Sequence, residues 1–408
     1  MNTGDTAWVL VSTALVMLMT PGLAFFYGGM VRRKNVLSIL MQCFLILCLV
    51  SVLWVVYGYS LAFAPGTGFW GGLGWSMLNG VGLEPYADYS ATIPHQAFMI
   101  FQAMFAVITP ALIIGAFAER MKFASFTVFM ILWLTLVYSP VCHWVWAIGG
   151  FLRNMGALDF AGGTVVHINA GIAALVTAIM IGRRKNAEKH VPSPHNLPFV
   201  VLGTALLWFG WFGFNAGSAL SANGLAVNAF VVTNTAAAAG GLSWALIEWV
   251  RNGKPTMFGI ASGIVAGLVA ITPAAGFVNI AGALAIGFLV SVFCYLAAVI
   301  IKPKLGYDDA LDAFGVHCVG GIWGALATGL FASKLVNPAG NDGLFYGNPA
   351  LLMIQLKAVL VTVFYSGIVT AFLFKVVDLV MGMRVETKEE EVGLDLTQHH
   401  ERAYTMLE

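Results

Sequence analysis

Apolar runs long enough to cross a bilayer alternate along this chain with short stretches of Pro, Gly, Asn and charge. The runs fall at roughly 7–31, 37–63, 96–118, 123–146, 162–182, 197–216, 228–250, 256–274, 277–301, 313–333 and 350–383. A helix needs about 20 mostly apolar residues to span the hydrocarbon, so the pattern predicts eleven transmembrane helices. The breaks between runs have the chemistry of loops. The expected fold is an all-α polytopic membrane protein, with a transmembrane domain over 1–383 and a tail over 384–408. The last helix, about 350–383, is long enough to project beyond the bilayer. Nothing basic precedes the first run, and it exceeds the ~7–15-residue core of a signal peptide. The cluster Arg32-Arg33-Lys34 closes it like a stop-transfer signal, so a membrane span is expected there, and whether a short leader is cleaved is left open by the sequence.

Composition agrees with that pattern. Of 408 residues, 59% are hydrophobic and 10% charged, against about 25% charged in an ordinary soluble domain. Too few polar side chains are present to coat a water-facing globule of this size. The net charge of +1 supplies no basic field for a phosphate backbone, so no nucleic-acid partner is expected. The five cysteines lie in apolar runs without disulfide or zinc spacing and read as small core residues. No metal or cofactor is expected.

Charge placement orients the chain. If the eleven runs are spans, seventeen of the twenty Lys and Arg fall on one side, from the Arg32 cluster through Arg120, the 183–189 loop and Arg251 to the tail. Only Arg153, Lys334 and Lys357 fall on the other. The positive-inside rule then puts the N-terminus outside and the C-terminus in the cytoplasm, as in a multi-pass protein of the cell (inner) membrane.

Self-comparison reveals a repeat. His167-Ile-Asn-Ala-Gly171-Ile172 resembles His317-Cys-Val-Gly-Gly321-Ile322, and Ile108-Thr-Pro-Ala111 resembles Ile271-Thr-Pro-Ala274. Runs three and five therefore match runs eight and ten. The repeat unit is five helices, over about 7–182 and 197–333, and an odd unit forces the second copy upside down. Inverted repeats place the working site near the midplane between halves. An Ala-Leu-Asp precedes each histidine, which pairs Asp159 with Asp312.

An ionisable group inside a span is costly and marks function by default. His190, His195, His399 and His400 are expected in loops or tail, and His95 and His143 at the outer edge, solvated or interfacial. His167 and His317 lie inside spans. Each sits about 25 Å from the far end of its helix at ~1.5 Å per residue, so two opposed helices bring them together near the midplane. Neutral imidazole both donates and accepts, so such a pair can pass a proton or line a path for a small hydrogen-bonding solute. The bland alternative is two core histidines tying helices together. Asp159 is placed to cap its helix. The aromatic residues Trp144, Trp146, Trp208, Trp211, Phe212 and Phe214 near outer span ends read mainly as an interfacial belt. The glycine pairs at 28–29, 162–163, 240–241 and 320–321 permit close helix contact.

At these motifs the chain resembles the ammonium transporter family, relatives of the Rhesus glycoproteins. The matching segments are Phe25-Phe-Tyr-Gly-Gly29, Arg33-Lys-Asn-Val36, Ala118-Glu-Arg120, Gly156-Ala-Leu-Asp-Phe-Ala-Gly-Gly-Thr-Val-Val-His-Ile-Asn-Ala170, Gly210-Trp-Phe-Gly-Phe-Asn-Ala-Gly-Ser218, Asp309-Ala-Leu-Asp-Ala-Phe-Gly-Val-His317 and Gly393-Leu-Asp-Leu-Thr397. One departure is Trp146-Ala-Ile-Gly-Gly150, where the family often carries a glycine run. The resemblance implies a homotrimer with one narrow pore per subunit, a cytoplasmic PII signal protein as partner, and ammonium, or methylammonium as its analogue, as substrate. It assigns Phe101, Phe105, Trp146 and Ser218 to ammonium recruitment, with Asp159 supporting. It assigns Phe105 and Phe214 to a stacked gate, and His167 and His317, with Thr272 beside the route, to the pore and proton relay. It also implies a tail packed beneath neighbouring subunits.

The expected activity is channel-like transport: NH4+ loses its water at the aromatic site and its proton near the histidines, and NH3 crosses the apolar lumen. Whether a proton follows separately is left open by the sequence. The alternative is an ammonium sensor acting mainly through a cytoplasmic partner, for which a fused signalling domain would speak, and none follows the last run. A sodium- or proton-coupled transporter would need several polar ligands at broken helices. An enzyme would need a phosphate loop, a nucleophile elbow or a metal motif. No such pattern is present, so no enzymatic activity is expected. The tail's Glu389-Glu-Glu391 reads as a solvated stretch.

Overall fold

Each apolar run folds as helix in the computed structural model, which describes residues 1–185 and 194–404. Lys189 and His190, expected in a basic loop, lie outside the described residues. In chain order the long helices are α1 Thr3–Met30, α2 Arg33–Phe63, α3 His95–Phe117, α4 Phe123–Asn154, α5 Gly163–Ile181, α6 Leu197–Gly217, α7 Gly224–Asn252, α8 Met257–Ile271, α9 Ile280–Leu305, α10 Phe314–Phe331 and α11 Pro349–Met381. All except α8 are long and apolar enough to cross a membrane. Helix α8 has 15 residues, because it stops before Thr272-Pro273, whereas α3 runs straight through the matching Thr109-Pro110. Among the described residues there are no strands, only two isolated bridges. The chain is thus an all-α, multi-pass membrane protein.

The ends of the helices follow local chemistry. The side chains of Asn2, Asn196, Asn223, Thr256, Asn279 and Asn348 each accept a backbone N–H in the first turn of the helix that follows, which satisfies donors no helix can satisfy itself. Helix α4 bends after Trp146 through Ala147–Gly150, with Gly149 at φ 87°, before a last short turn at Phe151–Asn154.

Two helices decide the interior. Helix α5 starts beside Trp146 and ends at Gly182. Helix α10 starts near Asp308. The two meet at the buried Arg120, which donates to the carbonyls of Gly182 and Asp308, so α5 and α10 run in opposite directions. They cross where a Cβ on Gly171 would stand 2.3 Å from Cys318 N. Only glycine fits there. Gly321 sits against His167 in the same crossing, where a Cβ added to it would stand 3.1 Å from the His167 Cβ. Both histidines lie in π-helical turns, Gly163–Ile168 and Phe314–Cys318, which re-aim side chains within otherwise regular helices.

The end of the bundle around Arg120 is basic and heavily paired. Arg184 bridges Asp308 at 2.8 Å and Glu119 at 3.4 Å, and Arg32 meets Glu119 at 2.8 Å. Burial alone would raise the Glu119 carboxyl, but Arg184 and Arg32 outweigh it and hold that group below its usual range. The tail folds against its own chain at this end. Arg384 donates to the carbonyls of Ile181 and Arg183 and pairs with Glu390 at 2.8 Å. Asp395 accepts the Ser38 N–H. Glu390 is therefore buried, where the acidic run was expected to be solvated: its carboxylate also accepts the Lys185 N–H.

The crossing generates a prediction. Gly171→Ala is expected to destabilise the protein by about 3 kcal/mol, since the added methyl meets backbone that cannot yield. Gly367→Ala on α11, where the nearest atom stands at an ordinary 3.6 Å, is expected to be neutral or slightly stabilising. Thermal unfolding in detergent, read by tryptophan fluorescence, separates the two; equal midpoints for both variants would contradict the close crossing.

Candidate functional site

At the end opposite Arg120, a recess of about 200 Å³ opens between α3, α4 and the end of α6. Phe105, Trp146 and Ser218 form part of its wall, together with Asp88, Gln102 and Arg153. The Phe105 ring stands edge-on to Trp146, with centroids 5.6 Å apart at 89°. The Ser218 hydroxyl donates to the Phe214 carbonyl at 2.8 Å, which leaves its oxygen free to accept. Aromatic faces and a hydroxyl oxygen are a fitting surface for a small cation, each face worth about 1–2 kcal/mol when water is excluded. Phe101 stands behind this wall, fully buried and edge-on to Phe105 at 5.0 Å.

Asp159 holds the recess from beneath. One carboxylate oxygen accepts the N–H groups of Gly162 and Gly163 at 2.8 and 2.6 Å, and the other those of Thr164 and Val165 at 2.8 and 3.0 Å. Its own carbonyl accepts the Trp146 indole N–H at 2.9 Å. The carboxylate is thus committed to the start of α5, and its link to the recess runs through the position of Trp146. The matching role in the other half belongs to Asp309, whose carboxylate accepts the N–H groups of Ala313 and Phe314. Asp309 precedes His317 by the same interval as Asp159 precedes His167. The pairing of Asp159 with Asp312, suggested by the Ala-Leu-Asp match, is off by three residues: the capping contacts fall to Asp309, and the Asp312 carboxylate meets Lys302 instead.

Below the recess, Phe105 and Phe214 close on each other with centroids 4.4 Å apart. Phe214 stacks over His167 at 6.0 Å, and His167 over His317 at 5.4 Å and 13°. Trp211 stacks on the side of His167 at 5.4 Å. Both nitrogens of His167 and Nδ1 of His317 are buried with no hydrogen-bond partner. The space around the pair is a closed chamber of about 10 Å³, lined by Leu23, Ile108, Leu112, Leu207 and Val265 among others, roughly the room of one water-sized molecule. Buried polar atoms cost about 1–3 kcal/mol each when they lack a partner, so these nitrogens favour a small polar molecule over hydrocarbon in the space they line.

Thr272 stands outside the chamber. Its hydroxyl accepts the Trp211 indole N–H at 2.8 Å and donates to the Leu268 carbonyl at 2.7 Å, so it fixes Trp211 against His167. Several residues read differently in the sequence. Trp144, Trp211 and Phe214 are buried rather than interfacial, since the bundle packs around them. His95 donates or accepts with the Tyr59 hydroxyl at 2.6 Å and stacks on Tyr86, and His143 is buried against the carbonyls of Ala62 and Thr67. Gln102, Asp88 and Arg153 were missed. Gln102 sits one residue from Phe101 with its Oε1 buried and unpartnered, and no sequence signal separates it from a surface amide. Among the described residues no cluster of three His, Cys, Asp or Glu is placed to hold a metal.

Asp159→Asn tests the cap. An amide replaces one acceptor oxygen with an NH2 that faces two N–H donors, so the expected cost is about 2–4 kcal/mol, read as a lowered unfolding midpoint. A wild-type midpoint would show that the four contacts do not hold the turn.

With this geometry in place, comparison with known proteins is informative. Residues 7–404 match the Ammonium Transporter Family. The chain is 55% identical over 404 residues to the ammonium transporter of Bacillus subtilis (strain 168), covering 99% of each. It is 51% identical over 407 residues to the ammonium transporter Amt1 of Archaeoglobus fulgidus, covering 99% of this chain and 100% of that protein. The crystal structure of Saccharomyces cerevisiae Mep2 superposes with a TM-score of 0.90 at 37% identity, over 95% of this chain and 89% of that one.

Proposed function

The chain belongs to the ammonium transporter family, and on that premise we propose that it recruits NH4+ at the recess of Phe105, Trp146 and Ser218, strips its proton, and conducts NH3 past His167 and His317. The recess faces outward in this reading, because the Lys and Arg asymmetry puts the Arg120 end in the cytoplasm. Aromatic faces and the Ser218 oxygen replace part of the ion's water. Phe101 and Asp159 act at one remove, through Phe105 and Trp146.

A bare ion cannot follow further. Moving an unpaired charge into an apolar interior costs many kcal/mol, and the chamber lining offers no carboxylate. A neutral NH3 carries one lone pair and three weak donors, which suit unpartnered imidazole nitrogens. The stacked histidines also offer a line of nitrogens along which a released proton can travel separately. The observation that carries this reading is the pair of parallel imidazoles, 5.4 Å apart with open nitrogens, sealed beneath the Phe105–Phe214 contact.

Family membership supports two further proposals: a homotrimer with one pore per subunit, and a PII signal protein docking at the cytoplasmic face. A chain serving mainly as a sensor would use the same recess but show ammonium binding without flux.

Ammonium-evoked current across liposomes holding the purified full-length protein tests the reading. Wild type is expected to carry current or nitrogen flux, and His167→Ala and His317→Ala to lower it by about tenfold, a barrier change of about 1.4 kcal/mol, or to lose selectivity. Unchanged rate and selectivity in both variants would remove the histidines from the mechanism.

A further inference from the structure

The two halves of the pore use their acidic residues differently. At the start of α5, Asp159 alone caps the helix. At the start of α10 there are three acids. Asp308 is taken by Arg184 and Asp309 by the N–H groups of Ala313 and Phe314. Asp312 has neither task. Its backbone is left-handed, at φ 60°, a conformation that costs a non-glycine residue about 1–2 kcal/mol and recurs where a side chain must be aimed for function.

Asp312 lines the recess directly beneath His317, with Phe26, Tyr27 and Ser262. His317, whose Nδ1 is buried and unpartnered, lines the same space. An ammonium group is already held by the Asp312 side chain of that wall. Lys302 Nζ donates to the Asp312 carboxylate, and to the Asp309 carbonyl at 3.2 Å. Both side chains are about a quarter exposed, at 22% and 25%, so the pair borders water. A primary alkylammonium held between a carboxylate and a carbonyl has the chemistry of a bound methylammonium ion.

We propose that Asp312 and the Asp309 carbonyl form a monovalent-cation site at the inner mouth, that Lys302 is its resident occupant, and that this tethered ammonium keeps cytoplasmic potassium and ammonium from seating beneath His317. The inference rests on the pore reading above and on its orientation. It makes the two ends of the pore unlike. The outer recess offers open aromatic faces to an arriving cation, whereas the acid that faces the inner one already holds a cation that cannot leave. Potassium drawn to a vacant Asp312 would have no proton to give up and could not enter the apolar chamber, and as a free ion it could stand in the recess itself, which Lys302, tethered on the far side of Asp312, does not line. It would act as a plug.

The test is ammonium-evoked current in proteoliposomes of the full-length protein, with either KCl or N-methylglucamine chloride at equal concentration on both sides. Wild type is expected to give equal currents in the two salts. Lys302→Met is expected to carry about tenfold less current in KCl than in N-methylglucamine chloride, equivalent to about 1.4 kcal/mol, and Lys302→Met/Asp312→Asn to give equal currents again. Should Lys302→Met fail to insert, Lys302→Gln, uncharged but still able to donate to Asp312, replaces it with the same expectation. Equal currents in both salts for the single variant would overturn the proposal, as would potassium inhibition that survives in the double variant. Absence of ammonium current from wild type in either salt would instead overturn the pore reading itself.

Discussion

Gly171 of α5 and the backbone of Cys318 of α10 approach so closely that no side chain fits between them, and the stacked histidines are arranged around that contact. Two helices running in opposite directions, each entering the bundle from its own end, can bring equivalent residues face to face only if they nearly touch. The glycines at 171 and 321 allow it. The π-helical turns at Gly163–Ile168 and Phe314–Cys318 then rotate one histidine from each helix into a common stack. Asp159 and Asp309 anchor the starts of those turns through backbone N–H groups, so the stack is held from both ends by the same device.

That contact also fixes what the lumen can admit. Trp211, tied to Thr272, presses His167 from the side, and Phe214 covers it from above. The remaining volume suits a single small molecule. Its lining is hydrocarbon and aromatic apart from the imidazoles, so under the proposed function the chamber would discriminate by charge before it discriminates by size. The two ends differ in kind: one carries an aromatic recess with a hydroxyl, and a lysine ammonium paired with Asp312 stands at the other.

Much of this was legible in the sequence because membrane spans are written as uninterrupted apolar length. Charge asymmetry and the two His-centred repeats supplied an expected orientation and an expected meeting of His167 with His317. Other features were hidden for physical reasons. A π-helical turn has no composition of its own. Ala-Leu-Asp matched at two places, but only distance to the histidine, not the tripeptide, reports which acid caps, and that is Asp309. Trp211 looked like a belt residue because a buried and an interfacial tryptophan have the same neighbours in sequence. Gln102, Asp88 and Arg153 reach the aromatic recess from two helices and a loop, and their convergence exists only in three dimensions. His95 and His143 seemed solvated because their partners, Tyr59 and the carbonyls of Ala62 and Thr67, lie on other segments.

The central claim is that the cation sheds its proton before the lumen, so an ion of similar size with no proton to lose should stop at the gate. The direct measurement is the current evoked in wild-type proteoliposomes by equal inward gradients of ammonium, methylammonium and potassium. The account predicts current or uptake with the first two and, for potassium, a signal no larger than that of protein-free liposomes. A potassium current comparable with the ammonium current would contradict it.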